Sequence, residues 1–139
     1  MTRREAREAA LCVLFAFGYT PDKTADELIA EYTAELDGAA DKYVRAAVAG
    51  VTAGAEELDA LITECAVGWA ISRISRVSMA ILRLACYEML YMPDIPPRVS
   101  INEAIELSKK YDDEKAYSFV NGVLNRASAS DAVQAVARS

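Results

Sequence analysis

Apolar positions recur at helical spacing along most of the chain, and no alternating run of β-branched residues bounded by turn signals interrupts them. The first stripe carries Leu11, Leu14, Phe15 and Gly18, widened by Ala10, Val13 and Phe17. Thr2 and Glu5 mark its start as a capping box, in which each side chain satisfies the other residue's backbone N–H. Thr20-Pro21 closes it. A second, more polar helix is predicted near Thr24 to Leu36, with Asp37-Gly38 as the breaker. The third is predicted from about Asp41 through Leu61 or beyond, with Val44, Val48, Val51, Leu58 and Leu61 as core positions. Gly50 and Gly54 lie one turn apart inside it and read either as a close helix approach or as a kink.

The fourth helix, about Ser78 to Tyr91, is apolar around most of its circumference, which predicts the central helix of the fold. "MPDIPP" stops it. A fifth helix is expected to start at Ser100 with a second capping box, Ser100 and Glu103, and to keep Ile101, Ala104, Ile105, Ser108 and Tyr111 near one face. Asp112, Asp113 and Glu114 then supply cap and favourable charge to a sixth. There Ala116, Phe119, Val120, Val123, Leu124 and Ala127 hold phase straight across Asn121-Gly122, a pair that usually announces a hairpin. A mid-helix Gly costs roughly 1 kcal/mol relative to Ala, and a neighbouring helix backbone too near for a side chain would offset it. Residues after Ser128 are small and polar, so this end is expected to fray.

Composition supports an all-α reading: 139 residues, over half of them apolar, with six Gly and four Pro. That length suits one domain spanning 1–139. The net charge of -6 argues against nucleic acid only until its distribution is read. Residues 20–65 hold eleven acids and three bases, whereas the flanking segments are each slightly basic. "WAISRISRVSMAILR", residues 69–83, contains Arg73, Arg76 and Arg83 and no acid; of RNA contact, pairing with the acidic middle segment and solvated charge, the last two are favoured. No histidine is present, and Cys12, Cys65 and Cys86 lie far apart among apolar neighbours. They read as buried thiols in a reducing compartment, with no metal site and no cofactor. Thirteen uncharged residues from Ala9 follow two arginines, but Glu5 and Glu8 interrupt the positive region. This is not the pattern of a secretory leader, and no run reaches the roughly 20 apolar residues of a membrane span. A cytoplasmic protein is expected.

Three ordered motifs carry a resemblance: "AILRLACYEMLY" at 80–91, "DIPPRVSINEAIELSKKY" at 94–111 and "FVNGVLN" at 119–125, joined by "RREAREAAL" near the start. With these, the chain resembles the NusB family of bacterial transcription antitermination factors. The resemblance implies about seven helices in two small packed bundles and no catalysis. It also implies binding of boxA-type, single-stranded RNA together with the small-subunit ribosomal protein called NusE. That assembly lets RNA polymerase read through terminators, chiefly in ribosomal RNA operons. Some relatives dimerise, so monomer and homodimer both stay open.

The resemblance places RNA contacts at Arg3, Arg4 and Arg7 on the first helix, where the bland alternative is an ordinary solvated helix start. It places others at the junction of the last two helices: Lys109, Lys110 and Lys115 to neutralise phosphates, Tyr111 and Phe119 to stack bases. Phe15 lines the same surface or the core, and Phe119 is read the same two ways. Tyr87 and Glu88 are implied to lie near the protein partner, where an acid suits a basic ribosomal protein. Asn102 and Glu103 are read as structural. An enzyme is disfavoured, because no nucleophile stands beside a base and no glycine loop cradles phosphate. The competing function is a helical protein–protein adaptor without intrinsic RNA specificity.

Overall fold

A computed structural model describes residues 2–33 and 38–138 of the chain. Among these residues there are eight α-helices, one 3-10 turn and no strand. Seven helices run eight residues or more, and the eighth has four. The helices divide into two compact units, residues 1–53 and 54–139. None is long and apolar enough to cross a membrane among the described residues.

The first unit contains α1 (Arg3–Phe17), α2 (Ala25–Tyr32) and α3 (Gly38–Ala53), with α1 packed on both others. The capping box at Thr2 forms as the spacing predicts: the Glu5 N–H donates to Thr2 Oγ1 at 3.1 Å and the Thr2 N–H to Glu5 Oε1 at 2.9 Å. Those bonds hold the Glu5 carboxyl below its ordinary range. Thr24 and Glu27 form a second box at α2. That helix closes at Tyr32 with Thr33 as its C-cap, and residues 34–36 of its predicted span, with Asp37 of the breaker, lie outside the described residues. Buried Ala6, Ala10, Leu11, Val13, Leu28, Ile29, Tyr43, Val44, Ala47, Val48 and Val51 come from all three helices.

The second unit contains α4 (Ala55–Cys65), the 3-10 turn (Ile71–Arg73), α5 (Arg76–Tyr91), α6 (Pro97–Tyr111), α7 (Ala116–Ser128) and α8 (Asp131–Gln134). Ten of the sixteen residues of α5 are buried, and it packs against α4, α6, α7 and α8. It is the central helix of this unit, as its apolar circumference predicts. Ser75 caps it, accepting from the Ser78 N–H at 3.0 Å.

Four expectations are corrected. The single helix predicted from Asp41 to Leu61 is two, because Gly54 leaves helical geometry (φ -102°, ψ 18°) and becomes the N-cap of α4. The fifth helix starts at Pro97 rather than Ser100, since a proline at the first helical position is preorganised and has no N–H to leave unpaired. Ser100 therefore lies inside α6 and is not its cap. The segment past Ser128 does not simply fray: Ser130 caps α8, and Val133 is buried. Finally, no neighbouring backbone crowds Gly122; a methyl group there would meet only Arg126 Nη1, at 3.9 Å.

Candidate nucleic-acid interface

In the first unit, the arginines of α1 differ in exposure, although Arg3 and Arg7 lie one turn apart on the same face. Arg3 and Arg4 are exposed, whereas Arg7 is only 5% exposed. The guanidinium carbons of Arg3 and Arg7 lie 4.9 and 5.9 Å from the ring centre of Tyr43, a buried residue of α3. Cation–π attraction thus fixes the entry of α1 against α3. For Arg7 the expected exposure is corrected: its guanidinium sits inside the unit, over the Tyr43 ring, rather than facing solvent. Phe15 is half-buried, with its ring 5.0 Å from exposed Tyr19.

In the second unit, the end of α6 and the start of α7 bring the remaining candidates together. Lys109, Lys110 and Lys115 are exposed, and Tyr111 is 38% exposed. Lys110 Nζ lies 5.4 Å from the Tyr111 ring and Lys109 Nζ 5.1 Å from the ring of Tyr117. The junction itself is fixed by aspartates. Asp112 accepts from the Ser75 and Ser78 hydroxyls at the positive end of α5, and Asp113 accepts from the Lys115 N–H at 3.0 Å. The expected cap on the last long helix is therefore corrected: α7 follows Lys115 with no side-chain cap and no acid in its first turn, Asp112 serves α5, and Asp113 only closes the turn before α7. Phe119 is half-buried because its ring stacks 5.1 Å from that of Trp69.

Tyr87 is half-buried, with its ring 5.3 Å from that of Tyr91. Glu88 is 1% exposed and accepts from the Ser100 hydroxyl at 2.9 Å, so its expected partner-facing role is corrected: the carboxylate is spent inside α5–α6 packing. The acid that does meet this surface is Glu57, which accepts from the exposed Tyr91 phenol at 2.5 Å and raises its pKa. Arg83 pairs bidentately with Asp59 at 2.7 and 2.8 Å, joining α5 to α4. No group of three or more acid, cysteine or histidine side chains is placed to hold a metal among the described residues.

The NusB family model matches residues 4–129. The chain belongs to the NusB family. A NusB antitermination protein of Carboxydothermus hydrogenoformans is 45% identical over 130 residues, covering 89% of this chain and 90% of its own. The solved NusB of T. maritima superposes with a TM-score of 0.87 at 34% identity, covering 95% of this chain and 94% of that one. A crystal structure of antitermination factors NusB and NusE in complex with double-stranded RNA includes a chain with TM-score 0.79 at 30% identity, covering 90% and 94%. NusB proteins are antitermination factors rather than enzymes.

Against this NusB background, two aromatic residues escaped the reading of the sequence. Trp69, the sole tryptophan, is 55% exposed beside Gly68, whose φ of +82° turns the chain out of α4. Its signal was present: a large aromatic in a glycine turn, outside any apolar stripe. Tyr117 likewise stands off the buried stripe of α7. Together with Tyr111 and Phe119 they give the second unit planar faces beside lysines, a combination that can stack bases and neutralise phosphates.

Proposed function

We propose that this chain is a transcription antitermination factor that binds boxA-type RNA jointly with the small-subunit ribosomal protein NusE, in the cytoplasm, promoting read-through chiefly of ribosomal RNA operons. The observation that carries the RNA reading is the α6–α7 junction, where exposed Lys109, Lys110 and Lys115 stand beside Tyr111 and Tyr117 in a chain of net charge -6. Cations kept exposed and seated on aromatic rings, on an otherwise acidic protein, suit an anionic, base-bearing ligand. Arg3 and Arg4 are the first unit's candidates for phosphate contact, and Phe119 with Trp69 offers a further stacking face.

Fluorescence anisotropy of a labelled boxA-type RNA, beside a scrambled RNA and with or without NusE, tests this. Preferential binding that tightens with NusE and weakens with salt is expected. Replacing Lys109, Lys110 and Lys115 together with Ala should weaken it roughly 50-fold at about 0.15 M salt, the loss of three phosphate contacts at a slope of about 0.7 each. Equal binding of both RNAs by a folded protein that still binds NusE would leave only the adaptor function.

A further inference from the structure

The C-terminal end of α5 carries a defect written into its sequence. In an α-helix each carbonyl accepts from the N–H four residues on, and the Met92 N–H duly reaches Glu88 O at 2.9 Å. The next carbonyl, that of Met89, would need the N–H of residue 93, which is a proline and has none. Met89 is fully buried, so water is a poor substitute. Instead the Arg138 Nη2 donates to Met89 O at 2.7 Å, across 49 residues of sequence. A cation at this position also meets the negative end of the helix dipole.

We propose that residues 135–138 form a releasable strap whose Arg138 supplies the hydrogen bond that Pro93 withholds from α5. Its anchor is α8, which packs on both α5 and α7 and buries Val133. Gln134 Nε2 donates to Ser128 O at 2.8 Å, tying the same segment to the end of α7. The strap thus joins the ends of two helices that carry Tyr87 and Phe119. It is not a tight lock. Arg138 Nε and Nη1 are buried without a hydrogen-bond partner among the described residues, and unpaired buried donors of a charged group oppose docking. Docked and released forms therefore lie close in free energy, and the strap opens while α5 stays folded.

Amide hydrogen exchange of the full chain tests both parts. Arg138→Ala should speed exchange at Tyr91 and Met92 about tenfold, the loss of one charge-assisted hydrogen bond. Arg138→Met, which keeps an apolar stem but no donor, should do the same. In a Pro93→Ala background, where residue 93 regains its N–H, each change should have an effect of about threefold or less. In the unaltered chain, Ala135 and Val136 should exchange well before the core of α5. Equal effects of Arg138→Ala in both backgrounds, full protection by Arg138→Met, or exchange of Ala135 only on global unfolding would each overturn the strap.

Discussion

Among the described residues, each unit buries one charged side chain that the sequence offers as a surface residue, and the two are accommodated differently. Arg7 in the first unit lies against the face of Tyr43, beside Arg3. Glu88 in the second is enclosed by α5 and α6 and accepts from the Ser100 hydroxyl. The guanidinium is weakly hydrated and planar, so an aromatic face partly replaces water. A carboxylate needs donors, and α6 delivers one from inside its second turn. The difference follows the units themselves: the first is built of Ala, Val and Leu around α1, whereas the second encloses α5 almost completely.

The largest test of that contrast is chemical. Burial pushes the Cys86 thiol on α5 up to about 12, while Cys12 on α1 is half-buried. At pH 8 alkylation of Cys86 in the folded protein should run roughly three decades slower than in the unfolded chain, whose thiols titrate near about 8.5. Cys12 should react first, as read by mass spectrometry of native and denatured samples. The folded state keeps a proton that the unfolded chain releases above about pH 8.5. The Cys86 contribution to stability therefore falls as pH rises from there toward about 12. Rapid native labelling of Cys86 at pH 8 would break the picture of a sealed second unit.

Substitutions at the two buried charges come next. Glu88→Ala strands the Ser100 hydroxyl and leaves a cavity in fully buried surroundings, so it should cost about 3 kcal/mol in urea unfolding. Glu88→Gln, which retains an acceptor of the same shape, should recover most of it. Arg7→Ala should cost less, about 2 kcal/mol, because its loss is of stem packing and a cation–π contact rather than of an enclosed carboxylate. Arg7→Ala with no change in stability but a collapse of RNA affinity would reverse its assignment from support to contact.

The sequence made the helices legible where local signals agree. Thr2 with Glu5, and the apolar circumference of α5, led directly to what the chain forms. It misled where two local signals compete. Ser100 with Glu103 has the spacing of a capping box, but Pro97 starts the helix three residues earlier and turns Ser100 toward Glu88. Gly54 showed that the third helix was vulnerable without showing that it stops. The exposure of Lys109, Lys110 and Lys115 was readable because they fall off the apolar stripes of α6 and α7. The fates of Arg7 and Glu88 were not, since burial of a charge depends on a distant residue, Tyr43 or Ser100, that periodicity does not connect to it.

The smallest predicted effect concerns a glycine in the second unit. Gly122 sits in the middle of α7, where glycine costs roughly 1 kcal/mol relative to alanine. Fold packing gives it no justification, because an added methyl group finds only the end of the flexible Arg126 side chain, at ordinary van der Waals distance. Gly122→Ala should therefore stabilise the free protein by about 0.5–1 kcal/mol in urea unfolding. Gly122 also lies one turn from Phe119, on the helix whose residues border Trp69 and the lysines. If the stabilised variant binds RNA and NusE normally, the glycine answers to nothing on this surface. If it binds more weakly despite greater stability, the bare backbone is reserved for a partner that approaches α7 closely, and the glycine belongs to the interface.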